Sequence, residues 1–501
     1  MKTRAGAKRP RNRSRIAAEA VKPPLPPPPA AQSAPAAPAV PTSRWPAVTE
    51  IGLTALFLAL LAAQVLLQPI VGMANNGDFA KVTYYFCYGP PSGGGQEFVY
   101  VLPHYVRSDR YCTDFGVRGY SELGLTAVAL ALSKLAGSGA LFDIRAIGAL
   151  HTALLTLAFY CFVRVLRPLG WRVQLLGGLI AAWIFSDPFY ATHLNSFYMD
   201  TPAMIGLLGA VPLAWVLLAT PRAPFWVVAV FTGWVLLFAL SKSQHAVYGW
   251  LGVLVIAAWA RRETPRRRIG AGVLAVSIIA ASAMTVAATA EWYKSQAVFN
   301  VVFHKVLPRD PDAARFFGIR DEEKAYIGKH SFMIETASPA VSFYGRINAE
   351  AILRYYVHNP SLAFWSLARD LRESRSIRFP VGNYRKSDGR PPGARYERPP
   401  SWIRFREAAI RWWPWHLLLW YLAVVAVASW QRSWILLALA AVAVAQFLIA
   451  SLLDDLETPR HLMMFHVITD ITVVYVIVAA LSATTRLHVS PRFRALAVSQ
   501  H

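Results

Sequence analysis

Apolar runs of membrane-crossing length recur along this chain, near residues 50–71, 145–164, 173–189, 201–219, 225–241, 245–260, 269–290, 414–429, 434–453 and 467–483. About 20 apolar residues in a helix cover the ~30 Å hydrocarbon core of a bilayer, where each backbone polar group must be satisfied within its own segment. The pattern predicts an all-α polytopic membrane protein with about 10 transmembrane helices. Composition agrees, with 55% hydrophobic and only 16% charged residues against ~25% charged in soluble domains.

The formal charge of +23 has a topological cause, which leaves no need for a nucleic-acid partner. Arg164, Arg167 and Arg172 cluster between two runs, RRETPRRR fills Arg261 to Arg268, Arg432 separates another pair, and Arg486, Arg492 and Arg494 follow the last run. The positive-inside rule puts these clusters and both termini in the cytoplasm. That threading requires the short run Leu123 to Leu135 not to cross, so it is expected as an interfacial or re-entrant helix in the first outer loop. Residues 1–47 are basic and then Pro/Ala-rich, the composition of a disordered tail. Leu53 to Ile70 is too long for a signal-peptide core and is expected as a retained anchor. The remaining organisation is an N-terminal transmembrane module at 48–290 with its first outer loop at 72–144, an extracytoplasmic region at 291–413, C-terminal transmembrane helices at 414–485, and a cytoplasmic tail at 486–501.

Four polar stretches then meet on the outer side: Gly72 to Tyr120, SDPFYATHLNSFYMD ending at Asp200, SKSQH around Lys242, and DDLETPRH from Asp454 to His461. Asp78 follows the first run within Asn75-Asn76-Gly77-Asp78, and reads equally as a general base or as part of an ordinary turn. Asp200 precedes Thr201-Pro202 and suits a helix start, with His193 and Asn195 as polar companions. Lys242 lies at an outer run end, against the charge trend, and can meet a phosphate as a point charge or snorkel to the interface. Gln244 adds a hydrogen-bonding group beside it. Arg460 and His461 can hold an anionic leaving group, or belong to a self-neutralising surface loop. No metal-ligand spacing, P-loop or dinucleotide motif is present, so no cofactor is implied, although the acidic cluster leaves a divalent metal open. Cys87 and Cys112 share the first outer loop, where an oxidising compartment permits pairing.

The order of Asp78, the Leu123 to Leu135 helix, Asp200 and Lys242 resembles the membrane glycosyltransferases of the GT-C fold. The string Asn75-Asn76-Gly77-Asp78, the motif NSFYMD and Pro459-Arg460-His461 look more narrowly like bacterial glycan-biosynthesis hexose transferases of the WsfD type. The resemblance implies a multi-pass protein of the bacterial inner membrane that moves a hexose from a polyprenyl-phosphate donor to a glycan or lipid-linked acceptor, with inversion. It implies catalytic roles for Asp78 and Asp200, and substrate contacts at Asn75, Asn76, Asn195, Lys242, Gln244, Arg460 and His461. The partners are then the lipid-linked donor, the acceptor and membrane lipids. A transporter or flippase of lipid-linked sugars is the main rival, and a membrane scaffold a third reading. The Arg-rich region with Arg346, Arg354, Arg369, Arg372, Arg375 and Arg378 reads as helices at headgroup level, as a sugar-stacking wall, or as a loop with a solvated basic face.

Overall fold

The structure is a computed structural model. It describes residues 45–488 except for 92–94, 117, 138–140, 221–222, 290, 334–342, 344–345, 380, 399–400, 414–415 and 457. Residues 1–44 and 489–501, which carry nearly all of both expected tails, lie outside the described residues.

Each of the ten apolar runs is helical, yet they do not give ten full-length spans. Six helices are long and apolar enough to cross alone: Trp45–Val65, Arg145–Leu169, Asp200–Ala219, Pro265–Ala288, Trp434–Leu453 and Met463–Ala483. Two bent pairs raise the number to eight, Trp171–Phe185 with Pro188–Leu194 at 64° and Trp402–Trp412 with His416–Gln431 at 107°. By length and apolarity, then, six to eight helices among the described residues are candidate spans, fewer than the ten apolar runs. Apolar length in sequence is not straight helix length: Phe225–Ala239 and Gly249–Ala260 have 15 and 12 residues, about 22 and 18 Å at 1.5 Å per residue. Ser121–Leu135, the short run expected not to cross, has 15 residues and is not among the candidate spans.

The chain is mostly helical, as expected, with a small antiparallel sheet in the first loop. Its strands are β1 (Tyr88–Gly89), β2 (His104–Arg107) and β3 (Leu141–Asp143), in the order β1-β2-β3. Tyr88 pairs with Arg107 and His104 with Asp143. A Cys87–Cys112 disulfide closes this loop. Tyr105 of β2 and Phe142 of β3 pack with Phe79, Phe197 and Tyr198, with Phe79 and Tyr198 edge to face at 4.8 Å between ring centres.

The helix Asp200–Ala219 lies at the centre, packed on Phe225–Ala239 and Arg145–Leu166. A Cβ on Gly206 would stand 2.6 Å from the backbone nitrogen of Phe238, so only a glycine lets these backbones come so close. The region 291–413 carries the amphipathic helices Ala349–His358, Pro360–Glu373 and Trp402–Trp412. Their exposed faces hold Val357, Phe364 and Trp412, while two arginines turn inward. Arg369 bonds Asp370 and Asp455 at 2.8 Å each, and Arg406 bonds Asp470 of the last span at 2.9 Å. Asp470 also accepts from the Tyr190 hydroxyl at 2.5 Å. The amphipathic faces fit helices at an interface better than a loop with a uniformly solvated basic face.

Candidate functional site

The segment leaving the first span is pinned from three sides. The Gly72 amide donates to the Asn383 carbonyl, Ala74 to Gly382, and Asn75 to Glu97. The Tyr198 hydroxyl donates to the Ala74 carbonyl at 2.9 Å. Asn75 then shapes the turn, its Oδ1 accepting from the amides of Gly77 at 2.8 Å and Phe79 at 3.0 Å. Gly77 has φ +103°, a left-handed conformation that glycine adopts without Cβ strain. The turn and the acid are thus parts of one device, because the turn delivers the Asp78 side chain to a cavity.

That cavity has a volume of about 230 Å³. Of the sequence-derived residues, Asn76, Asp78, Lys242, Gln244, Arg460 and His461 line it, and Lys81 and Asp454 join them. Asp78 sits between two cations: Oδ1 accepts from Lys81 Nζ at 2.6 Å, and Oδ2 lies 2.6 Å from Arg460 Nη2. On the wall itself, Lys242 Nζ donates to both oxygens of Asp200, which does not line the cavity, at 2.7 Å, with both side chains nearly fully buried. Asp454 faces His461, Oδ2 to Nδ1 at 2.9 Å. Arg460 and His461 come from the short helix Thr458–His461, and Lys242 directly precedes another, Ser243–Ala246.

Burial alone would raise the Asp78 carboxyl, but the combined pull of Arg460, Lys81 and Lys242 outweighs it and holds the group well below the usual carboxylate range. Asp454 follows the same balance: burial raises it, and His461 with Arg460 brings it below its ordinary value. Asp78 is therefore held as an anion between Lys81 and Arg460.

Three of the sequence-derived residues, Asp200, Asn195 and Asn75, do not line the cavity; Asp200 reaches it only through Lys242. Asn195 lies outside the cavity, its Nδ2 donating to the carbonyls of Val65 and Val71 at 2.7 Å each. It fits because Gly148 opposite has no side chain, for a Cβ there would lie 1.9 Å from Asn195 Oδ1. Asn195 thus ties the end of the first span to the loop before Asp200. Asn75 likewise serves the turn and does not line the cavity. His193 bonds back to the Phe189 carbonyl at 2.6 Å.

Sequence reasoning missed Lys81, Gln296, Asn300 and Gln446 on the cavity wall. The lone amide in the apolar run 434–453 was a signal for Gln446; nothing local marked Gln296. It also read the two acids of Asp454-Asp455 as one cluster. Asp455 points away from the cavity, to Arg369 at 2.8 Å and His304 at 2.5 Å. As for a divalent metal, no group of three His, Cys, Asp or Glu side chains converges among the described residues. Asp78 and Asp200 already face Arg460, Lys81 and Lys242, and Asp454 faces His461, so these residues do not fit a metal site.

Against known proteins, the model of a family described as the YfdI N-terminal transmembrane domain matches residues 42–494. The chain belongs to this family. No curated protein matches the sequence. Among solved structures, this YfdI-family chain is similar to the Archaeoglobus fulgidus oligosaccharyltransferase in its apo form, at 10% identity and a TM-score of 0.37. The alignment covers 91% of this chain and 52% of that one, so the YfdI-family chain spans about half the length of that transferase.

Proposed function

We propose that this protein is a membrane glycosyltransferase that moves a hexose from a polyprenyl-phosphate donor to a cell-envelope glycan or lipid-linked acceptor, with inversion. The observation that carries the reading is the cavity at the polar ends of the spans, where Lys81, Lys242 and Arg460 are gathered around acids from distant parts of the chain. A lipid phosphate there has cations to bind, and its isoprenoid tail has apolar helices beside it. The Cys87–Cys112 disulfide in the loop that carries Asp78 supports a non-cytoplasmic site, since disulfides persist in oxidising compartments. The basic clusters between spans then lie in the cytoplasm with both termini.

The chemistry follows from the ion pairs. An entering donor phosphate competes with Asp78 for Arg460 and with Asp200 for Lys242. Loss of a cation restores basicity to Asp78, so the site becomes a base only when a donor is present. Asp78 takes the proton of an acceptor hydroxyl. The hydroxyl oxygen forms a bond to the anomeric carbon on the face opposite the phosphate, and the anomeric C–O bond breaks. Its electron pair leaves with the polyprenyl phosphate, whose charge Arg460 and Lys242 stabilise. Asp200 orients Lys242, while Asn76, Gln244 and His461 offer hydrogen bonds along the cavity wall.

The test is sugar transfer by purified protein in liposomes from a synthetic polyprenyl-phosphate hexose, with Asp78→Asn as the comparison. The variant is expected to insert and remain folded, with some loss of stability, while losing transfer by 10²-fold or more, on the order of a lost general base. Near-normal turnover of the variant sinks the assignment of Asp78. Sugar carried across the bilayer without transfer to any acceptor would favour the flippase instead.

A further inference from the structure

The cavity has polar lining that the transfer steps leave unused. Gln446 lies within WILLALAAVAVAQFLIASLL, a span with no other polar side chain before Ser451. It is 1% exposed, lines the cavity, and its Nε2 has no hydrogen-bond partner among the described residues. Eight positions separate it from Asp454, about 12 Å along the helix axis. The cavity therefore reaches well below the ring of charges. An unmet amide donor in an apolar span is costly, and a leucine would pack there without that cost.

Two further amides line the same space. Gln296 and Asn300 come from the chain after Pro265–Ala288, where Asn300 opens a π-helical stretch, Asn300–Val306. Such stretches occur frequently at functional sites. Asn300 Oδ1 accepts from the Ser331 amide at 2.8 Å, so its NH₂ is the group it can offer. These three side chains are neutral and carry both donors and acceptors, which matches hydroxyl groups and gives a charged group no counter-ion.

We propose that Gln446, with Gln296 and Asn300, forms a hydroxyl-recognising subsite for the neutral sugar of the lipid-linked donor, apart from the cations that take its phosphate. The inference rests on the glycosyltransferase reading and deepens it. Gln446 is then a specificity-determining residue, and its unmet donor is the group that a sugar oxygen satisfies. A site built to bond a hydroxyl rejects an analogue without it, because the buried group is again left unpaired.

The experiment measures binding of farnesyl phosphate and of farnesyl-phosphate-linked glucose, mannose and galactose to the full chain, as wild type and as Gln446→Leu. The wild type should bind at least one hexose-bearing lipid more tightly than farnesyl phosphate. Gln446→Leu should keep its affinity for farnesyl phosphate within about twofold and lose roughly tenfold for that hexose lipid. Its unfolding midpoint should equal or exceed the wild type, which separates lost recognition from lost folding. Unchanged hexose-lipid binding, equal loss for both lipids, or a wild type that gains nothing from the hexose overturns the subsite and leaves the phosphate site standing. A wild type that binds neither lipid overturns the glycosyltransferase reading and the subsite with it.

Discussion

The pair Asp200–Lys242 offers a sharp test of how the site is held. Lys242 Nζ is 2.7 Å from both carboxylate oxygens, and the side chains are 7% and 5% exposed. At an effective dielectric near 20, that separation corresponds to a gross attraction of about 6 kcal/mol, much of it offset by the desolvation of both charges. Removing one partner strands the other charge, at a cost of about 3–5 kcal/mol, whereas removing both restores a neutral interior and costs far less. Asp200→Asn and Lys242→Met alone should each destabilise by about 3–5 kcal/mol, and the double variant should lie within ~2 kcal/mol of wild type. Unfolding followed by tryptophan fluorescence during SDS titration in mixed micelles reads this directly. Transfer provides the second readout: the double variant should recover its fold and stay inactive, because the phosphate has lost Lys242. Additive losses in the double variant, or single variants as stable as wild type, would refute the buried pair.

Two further outcomes follow from the same geometry. Because the native Asp78 carboxyl is held below its unfolded value of about 3.9, its contribution to stability is complete above that pH and is lost as pH falls toward the native value. The unfolding midpoint should therefore drop on acidification below about pH 4, and Asp78→Asn should flatten that drop; an unchanged slope would count against the Lys81 and Arg460 contacts. The Cys87–Cys112 bridge closes a loop with a sequence separation of 25, for which chain entropy gives about 3.5 kcal/mol. Replacing both cysteines with alanine should lower stability by about that amount, and a shift in non-reducing electrophoresis after reduction and alkylation checks the bond itself.

The helices, the membrane class and the candidate polar stretches were legible because their causes are local. Bilayer thickness converts hydropathy into helix length, and Asn-Asn-Gly-Asp announces a turn through its own side chains. Ten apolar runs were correctly read as helices, but whether each crosses alone depends on bends such as that between Phe185 and Pro188, at a break that apolar length by itself does not reveal. Asn76 and Asn195 looked alike in sequence, each an amide near an acid. Folding put Asn76 on the cavity wall, and put Asn195 into the slot left by Gly148.

By itself, the sequence determined a polytopic helical protein with acids and cations concentrated at span ends. Only the tertiary structure decided which charge meets which. Asp78 and Arg460 are separated by nearly the whole transmembrane chain and end 2.6 Å apart, while the neighbours Asp454 and Asp455 turn to different partners, His461 and Arg369. Hydropathy and turn preference act over a few residues and can be read from them. The choice of a charge partner in a buried site is made by packing across distant helices, where desolvation leaves an unpaired ion no cheap alternative.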